Sequence, residues 1–286
     1  MLAHHVRGSG PGLVLLPGVG GTATGTWRTL VDSLAAEYTL LLPDLPGSGS
    51  SPLPGGRLEA STVADQVVAT ARGAGLSDFA IAGFSVGAAV AVKVAARHPA
   101  HVRGLFSLAG FARPRTTLSL GLEVWASLHT RHDDKLSAFL TSLSFSEEYL
   151  AGRTPEAARL LTARLAASAP GAAEQIAFAL GIDVRGDLPA VAAPTLVVAA
   201  MGDRFVAPEH SVELAEGIPG ARLAAVSGGH AATVEEPGRT LEILTGFLRD
   251  VHRFKLEVPR TAAVLPPAGH GGRLPAIPRP RPPHRR

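Results

Sequence analysis

The sequence predicts an α/β protein: a mainly parallel central sheet covered on both faces by helices, with a helical insertion. Three observations predict it. Short, continuously aliphatic runs alternate with longer segments of helical spacing over the first 110 residues, as expected of doubly buried strands and their crossover helices. The alternation stops near Phe111 and resumes near Leu188. The interval between contains pieces of helical period and no convincing strand. With 286 residues, 46% of them hydrophobic, the chain can bury a large core.

In order, "LAHHVRG" reads as one opening strand, followed by a strand at Leu13–Leu16 and a helix at Thr26–Glu37. A strand at Tyr38–Leu42, a helix at Leu58–Ala74, a strand at Phe79–Ala82, a helix at Val86–Arg97 and a strand at Gly104–Leu108 complete the first part of the core, residues 1–110. Residues 111–187 ("LEVWASL", "KLSAFLTSLSF", "EEYLAG", "PEAARLLTARLAAS", "AAEQIAFALG") read as helices. Inserted between two strands of one sheet, they are expected to form a cap over the strand ends. Residues 188–252 return to the core with strands in "APTLVVAAMGD" and "ARLAAVSGGH" and helices at Pro208–Ile218 and Glu235–Val251.

The sequence pI of 9.8 does not imply a nucleic-acid partner. Residues 253–286 hold eight Lys/Arg against one Asp/Glu, whereas the other 252 hold 19 against 23. The basic charge sits in a Pro-, Gly- and Arg-rich tail, expected to be disordered or partly polyproline II. It reads as a solvated extension, with a weak anchor for an acidic surface or an SH3-like partner as the sharper alternative. There is no cysteine, so disulfides, thiolate chemistry and Cys-based zinc sites are excluded. No signal-peptide pattern opens the chain, and no run approaches the roughly 18 apolar residues of a membrane span. A cytoplasmic protein with a small-molecule substrate, no nucleic acid, no membrane, no metal and no cofactor is the expectation.

Three loops carry the chemistry. "AGFSVGA" places Ser85 between Gly83 and Gly87, after a strand and before a helix. A serine hydroxyl needs a neighbouring base to act as a nucleophile. A strand–turn–helix elbow exposes it, small residues two positions away let strand and helix approach, and the Val86 N–H then faces a developing oxyanion. A glycine-rich bend is the bland alternative. In "VVAAMGDRFVAP", Asp203 follows a late buried strand, where a carboxylate can hold a histidine tautomer or simply stabilise a turn. In "VSGGHAATVEEP", His230 follows the last strand. Of the eleven histidines, among them His4, His5, His98 and His101, it alone combines a post-strand loop with the right place in chain order. The order Ser85, Asp203, His230, each on a post-strand loop, is a nucleophile–acid–base order.

With these motifs the chain resembles the α/β-hydrolase superfamily, in the capped group of carboxylesterases, enol-lactonases and cofactor-free perhydrolases. "LLPGVGG" (Leu15–Gly21) resembles the family's oxyanion loop, with Pro17-Gly18 in place of the usual His-Gly. "DLPGSGSS" (Asp44–Ser51) resembles its D-x-x-G-x-G-x-S turn, and "GHAATVEEP" its closing Gly-His signature. The resemblance implies an α/β-hydrolase fold with the cap inserted after the sixth family strand. Only about twelve residues precede Leu13, so the family's first strand is missing; seven strands and a barer edge are expected. It also implies Ser85 as nucleophile, Asp203 and His230 as its partners, and Val19 as the second oxyanion donor beside Val86. The reaction implied is two-step acyl transfer to water from an ester, lactone or thioester. Serine, not aspartate, at position 85 argues against epoxide hydrolase or haloalkane dehalogenase chemistry.

Substrate evidence is thinner. Phe84, beside the nucleophile, and Trp125 are the candidate substrate-binding residues, and Phe111, Leu122, Leu128, Phe139, Leu143, Phe145 and Tyr149 make an apolar lid or pack helices onto the core. Arg113, Arg115, Arg131 and His132 are candidates to meet a carboxylate. Acyl transfer or cyclisation on the same triad, and a non-catalytic ligand receptor, are alternatives. A further one is dinucleotide binding through Gly18-x-Gly20-x-x-Ala23 with Asp44 on the ribose.

Overall fold

The computed structural model describes residues 1–165 and 169–257. Seven strands form one sheet: β1 (His4–Arg7), β2 (Gly12–Leu16), β3 (Thr39–Pro43), β4 (Phe79–Phe84), β5 (Val102–Leu108), β6 (Thr195–Ala200) and β7 (Arg222–Val226). Their order is β1-β3-β2-β4-β5-β6-β7. Only β1 runs antiparallel, pairing with β3 from His4 opposite Pro43 to Arg7 opposite Leu40. All four β1 residues are exposed, so the expected seven strands and barer edge are observed.

The aliphatic runs are explained by burial on both faces. Val14, Leu16, Leu41, Ile81 and Val197 pack on one side with Val67 of α3 (Ala60–Gly73), Val90 of α4 (Val86–Arg97) and Leu214 of α10 (Glu209–Gly217). Leu13, Leu15, Leu40, Ala80 and Val198 pack on the other with Leu30 and Leu34 of α2 (Arg28–Ala35) and Leu244 and Phe247 of α12 (Pro237–Glu257). Two of the expected helices, Thr26–Glu37 and Glu235–Val251, start later than expected, at Arg28 and Pro237, each behind a separate single turn. A one-turn α1 (Ala23–Thr26) precedes α2, because the Thr22 hydroxyl caps it by accepting the Gly25 N–H at 3.1 Å and the Trp27 indole is pinned to the Leu16 carbonyl at 3.1 Å. A short α11 (Ala232–Glu235) precedes α12, which Pro237 opens, the first-turn position where a missing N–H costs nothing.

Between β5 and β6 lie α5 (Thr116–Thr130), α6 (Leu136–Ser144), α7 (Glu147–Ala151), α8 (Pro155–Arg164), α9 (Ala172–Gly181) and a 3-10 turn at Arg185–Ala190. This insertion leaves from the C-terminal end of β5, the edge at which β2, β4, β6 and β7 also end. Its Leu118, Leu122, Leu140 and Ile176 continue the buried cluster beneath α3 and α4, so insertion and sheet share one core. No helix among the described residues is long and apolar enough to cross a membrane. The basic tail expected to be disordered over residues 253–286 starts later than expected: α12 runs on to Glu257, and residues 258–286 lie outside the described residues.

A buried histidine ties the insertion to the core. His210 on α10 donates from Nδ1 to the Ala207 carbonyl at 3.0 Å and accepts the Arg115 N–H at Nε2, 3.2 Å away. This arrangement requires the neutral ring. Burial pushes its pKa below the ordinary 6.5, helped by the Arg115 charge and opposed by the Ala207 bond and the Glu213 and Asp203 charges. The unfolded chain therefore takes up this proton at higher pH than the native state. The associated stability is complete above about pH 6.5 and is lost as pH falls through the native pKa. Thermal unfolding measured across pH 5–8 should show a Tm that drops on acidification, and His210→Gln, which keeps an acceptor without a titrating ring, should flatten that drop.

Candidate active site

Four loops meet at the C-terminal edge of the sheet. The sharpest is the turn from β4 into α4. Ser85 sits there with φ 56° and ψ −125°, a left-handed conformation that costs a non-glycine residue energy and persists only when its surroundings enforce it. The enforcement is visible. The Ser85 N–H donates to the Leu108 carbonyl on β5 at 3.0 Å. A Cβ on Gly83 would lie 2.3 Å from the Gly87 carbonyl oxygen, and one on Gly87 would lie 2.4 Å from the Pro17 carbonyl oxygen. The two glycines are what let strand, helix and the loop after β2 converge. Val86 opens α4, so its N–H has no acceptor within the helix.

Asp203, three residues beyond β6, is buried. Its Oδ1 accepts the N–H groups of Phe205 and Val206, both at 2.8 Å. Its Oδ2 is thereby aimed at His230, whose Nδ1 donates to it at 2.7 Å. The His230 Nε2 lies 3.1 Å from the Ser85 hydroxyl. The imidazole is flanked by the rings of Phe84 and Phe205, with centroids 4.7 and 5.5 Å away. The three residues singled out from chain order are brought into one hydrogen-bonded chain. Its loop is also stitched to the insertion: the Ala231 N–H donates to the Ser144 carbonyl at 2.7 Å, and the Glu235 carboxylate takes both the N–H and the hydroxyl of Ser146, at 2.9 and 2.6 Å.

The loop after β2 turns at Gly18–Gly21, closed by the Gly21 N–H on the Gly18 carbonyl at 3.3 Å, with Gly20 at φ +71°. A Cβ on Gly18 would lie 3.3 Å from Ser85 Cβ, so Val19 follows directly beside Ser85. The Gly20 N–H is already engaged, donating to Gln175 Oε1 on α9 at 2.7 Å. Gln175 was not anticipated from the sequence. Its signal was a polar residue on the apolar stripe of α9, where Ala172, Ile176 and Ala179 are buried with it. Asp44 is committed to structure: buried, it accepts the Ala23 N–H at 2.9 Å. A ribose hydroxyl would have to displace that bond. The helix after the glycine turn is a single turn already capped by Thr22, which also disfavours the dinucleotide alternative.

Ser85 and His230 open into a cavity of about 380 Å³ lined by Val19, Phe84, Phe111, Leu122, Trp125 and Phe145 among others. Phe84 and Trp125 both reach it. Leu128, Phe139, Leu143, Tyr149, Arg113, Arg115, Arg131 and His132 do not line it, and neither does any Asp, Glu, Lys or Arg among the described residues. Trp125 stacks obliquely with Phe205, centroids 6.0 Å apart, and its buried Nε1 has no protein acceptor.

Gly87→Ala should destabilise the protein by about 3 kcal/mol through the clash with Pro17. Denaturant unfolding and serine reactivity checked together should show both losses, while Gly246→Ala, with nothing within 4 Å of its added methyl, leaves both intact.

The chain matches the family model described as alpha/beta hydrolase fold over residues 11–237. It is 30% identical over 250 residues to a pyrrolizixenacetamide deacetylase of Xenorhabdus hominickii, covering 86% of this chain and 94% of that one. It is 31% identical over 259 residues to a putative carbamate hydrolase of Azorhizobium caulinodans, covering 87% and 96%. In fold it is similar to the enol-lactonase of Burkholderia xenovorans, with a TM-score of 0.77 at 22% identity over 87% of this chain and 96% of that one.

Proposed function

The chain belongs to the α/β-hydrolase fold family, and on that premise we propose that it is a serine hydrolase cleaving an ester, lactone or thioester of a small, neutral, largely apolar acyl group. The observation that carries this reading is the chain Asp203–His230–Ser85, with contacts of 2.7 and 3.1 Å, at a cavity whose described lining residues include no Asp, Glu, Lys or Arg. The relatives' names, a deacetylase and a carbamate hydrolase, also describe attack on an acyl carbon.

In this mechanism Asp203 holds the proton of the neutral ring on Nδ1, leaving Nε2 with a free lone pair. Nε2 takes the Ser85 hydroxyl proton as Oγ attacks the carbonyl carbon. The carbonyl π electrons move to oxygen, where the Val19 and Val86 N–H groups stabilise the charge. Collapse of the tetrahedral species expels the leaving group, which receives the proton from His230. A water, deprotonated by the same Nε2, then attacks the acyl-serine, and the acid departs with Ser85 restored. Phe84 and Trp125 form the acyl wall.

A fluorophosphonate probe read by peptide mass spectrometry should label Ser85, and labelling should collapse in His230→Ala; an unlabelled Ser85 in folded wild type would sink the proposal. Ser85→Ala should lower kcat by about 10³-fold or more in a panel of esters, lactones, thioesters, amides and carbamates.

A further inference from the structure

Gln175 does more than fill its helix. It sits on α9 of the insertion, fully enclosed, and spends its whole amide on two other segments. Its Nε2 donates to the Pro46 carbonyl at 2.8 Å and to the Ser48 hydroxyl at 2.9 Å, while Oε1 accepts the Gly20 N–H at 2.7 Å. The amide orientation follows from these partners: a flip would set NH₂ against the Gly20 N–H and the carbonyl oxygen against that of Pro46. The anchoring side is itself rigid. The Gly171 N–H at the start of α9 donates to the Gly47 carbonyl at 2.9 Å, and a Cβ on Gly171 would lie 2.5 Å from Gly47 Cα. No room is left for α9 to slide relative to the loop after β3.

The held group is the peptide between Val19 and Gly20. A turn with two adjacent free N–H groups can rotate about that peptide, especially with glycines on both sides. Gln175 removes this freedom by occupying the Gly20 N–H, and with it restrains the adjoining Gly18–Val19 peptide, which carries the Val19 N–H and whose Gly18 packs against Ser85. On the other side of the turn, Trp125 Cζ2 lies 3.6 Å from where a Gly20 Cβ would stand. We propose that Gln175 is a positioning residue: through Gly20 it fixes the Val19 N–H as an oxyanion donor, making the helical insertion part of the oxyanion apparatus. The proposal rests on the serine-hydrolase reading above.

The test compares Gln175→Met (same bulk, no acceptor), Gln175→Asn (amide retained, reach one methylene shorter) and Gln175→Glu (acceptor at the original reach) with wild type. Rates on one chromogenic ester are divided by the concentration of serine titrated to the endpoint with fluorophosphonate, so misfolded protein does not count. Met and Asn should lower kcat by about tenfold or more, as a displaced oxyanion donor does, with KM within about threefold. The Glu variant, whose buried carboxyl is driven to its neutral form and can then donate its O–H to the Pro46 carbonyl while the other oxygen accepts the Gly20 N–H, should stay within about threefold of wild type. Inhibition by an alkyl boronic acid, whose Ser85 adduct carries a negative oxygen, should weaken in parallel with kcat. The proposal is overturned if kcat of the Met and Asn variants stays within about twofold, if the effect falls on KM instead, or if Glu drops as far as Met. Should the Met variant not accumulate, Asn against Glu decides on the same criteria. Failure of wild-type Ser85 to label would instead remove the serine-hydrolase reading itself, which distinguishes the two.

Discussion

The close approach of three backbones at Ser85 is the constraint on which the rest of the molecule depends. β4 must end, reverse and begin α4 within one residue, and that residue must hold φ 56°. Such a conformation survives only where neighbours leave no alternative. Here Gly83 faces the carbonyl of Gly87, Gly87 faces that of Pro17, and Leu108 takes the Ser85 N–H. The same contacts bring the loop after β2 against Ser85. Strain at the serine and proximity of the Val19 turn are thus one packing solution rather than two.

The insertion is bound to this centre at several points, among them the contact of Arg204, beside Asp203, with Glu147 and the Phe145 carbonyl. Glu235 and Ala231 join the histidine loop to Ser146 and Ser144, and Gln175 joins the glycine turn to the loop after β3. Its apolar side chains continue the core beneath α3 and α4. A cavity closed by a layer so attached is defined by fixed walls. It is shaped by aromatic and aliphatic groups, with hydroxyls and one imidazole among its described lining residues.

The fold and the three polar residues were legible because each leaves a local mark. Strands buried on both faces need unbroken aliphatic runs, the elbow needs small residues at fixed offsets, and a parallel sheet sends its loops to one edge. Element ends were less legible. The break at Trp27 depends on an indole reaching Leu16, a contact eleven residues away that no periodicity reports. The lid was half legible: Phe111, Leu122, Trp125 and Phe145 reach the cavity while Phe139, Leu143 and Tyr149 do not, because hydrophobicity marks a buried face without saying which space it borders. Gln175 was invisible as a functional residue, since its three partners lie 127 to 155 residues away in the chain.

The apolar character of the described cavity lining, which includes no Lys, Arg, Asp or Glu, has a consequence for the end of the proposed cycle. The proposed hydrolysis would turn a neutral acyl group into a carboxylate, and an anion among apolar walls is disfavoured relative to water. A lining that suits such a substrate would therefore reject the acid made from it. On that mechanism affinity falls as the acyl bond to Ser85 breaks, which drives the product outward and leaves little occasion for it to compete with the next substrate.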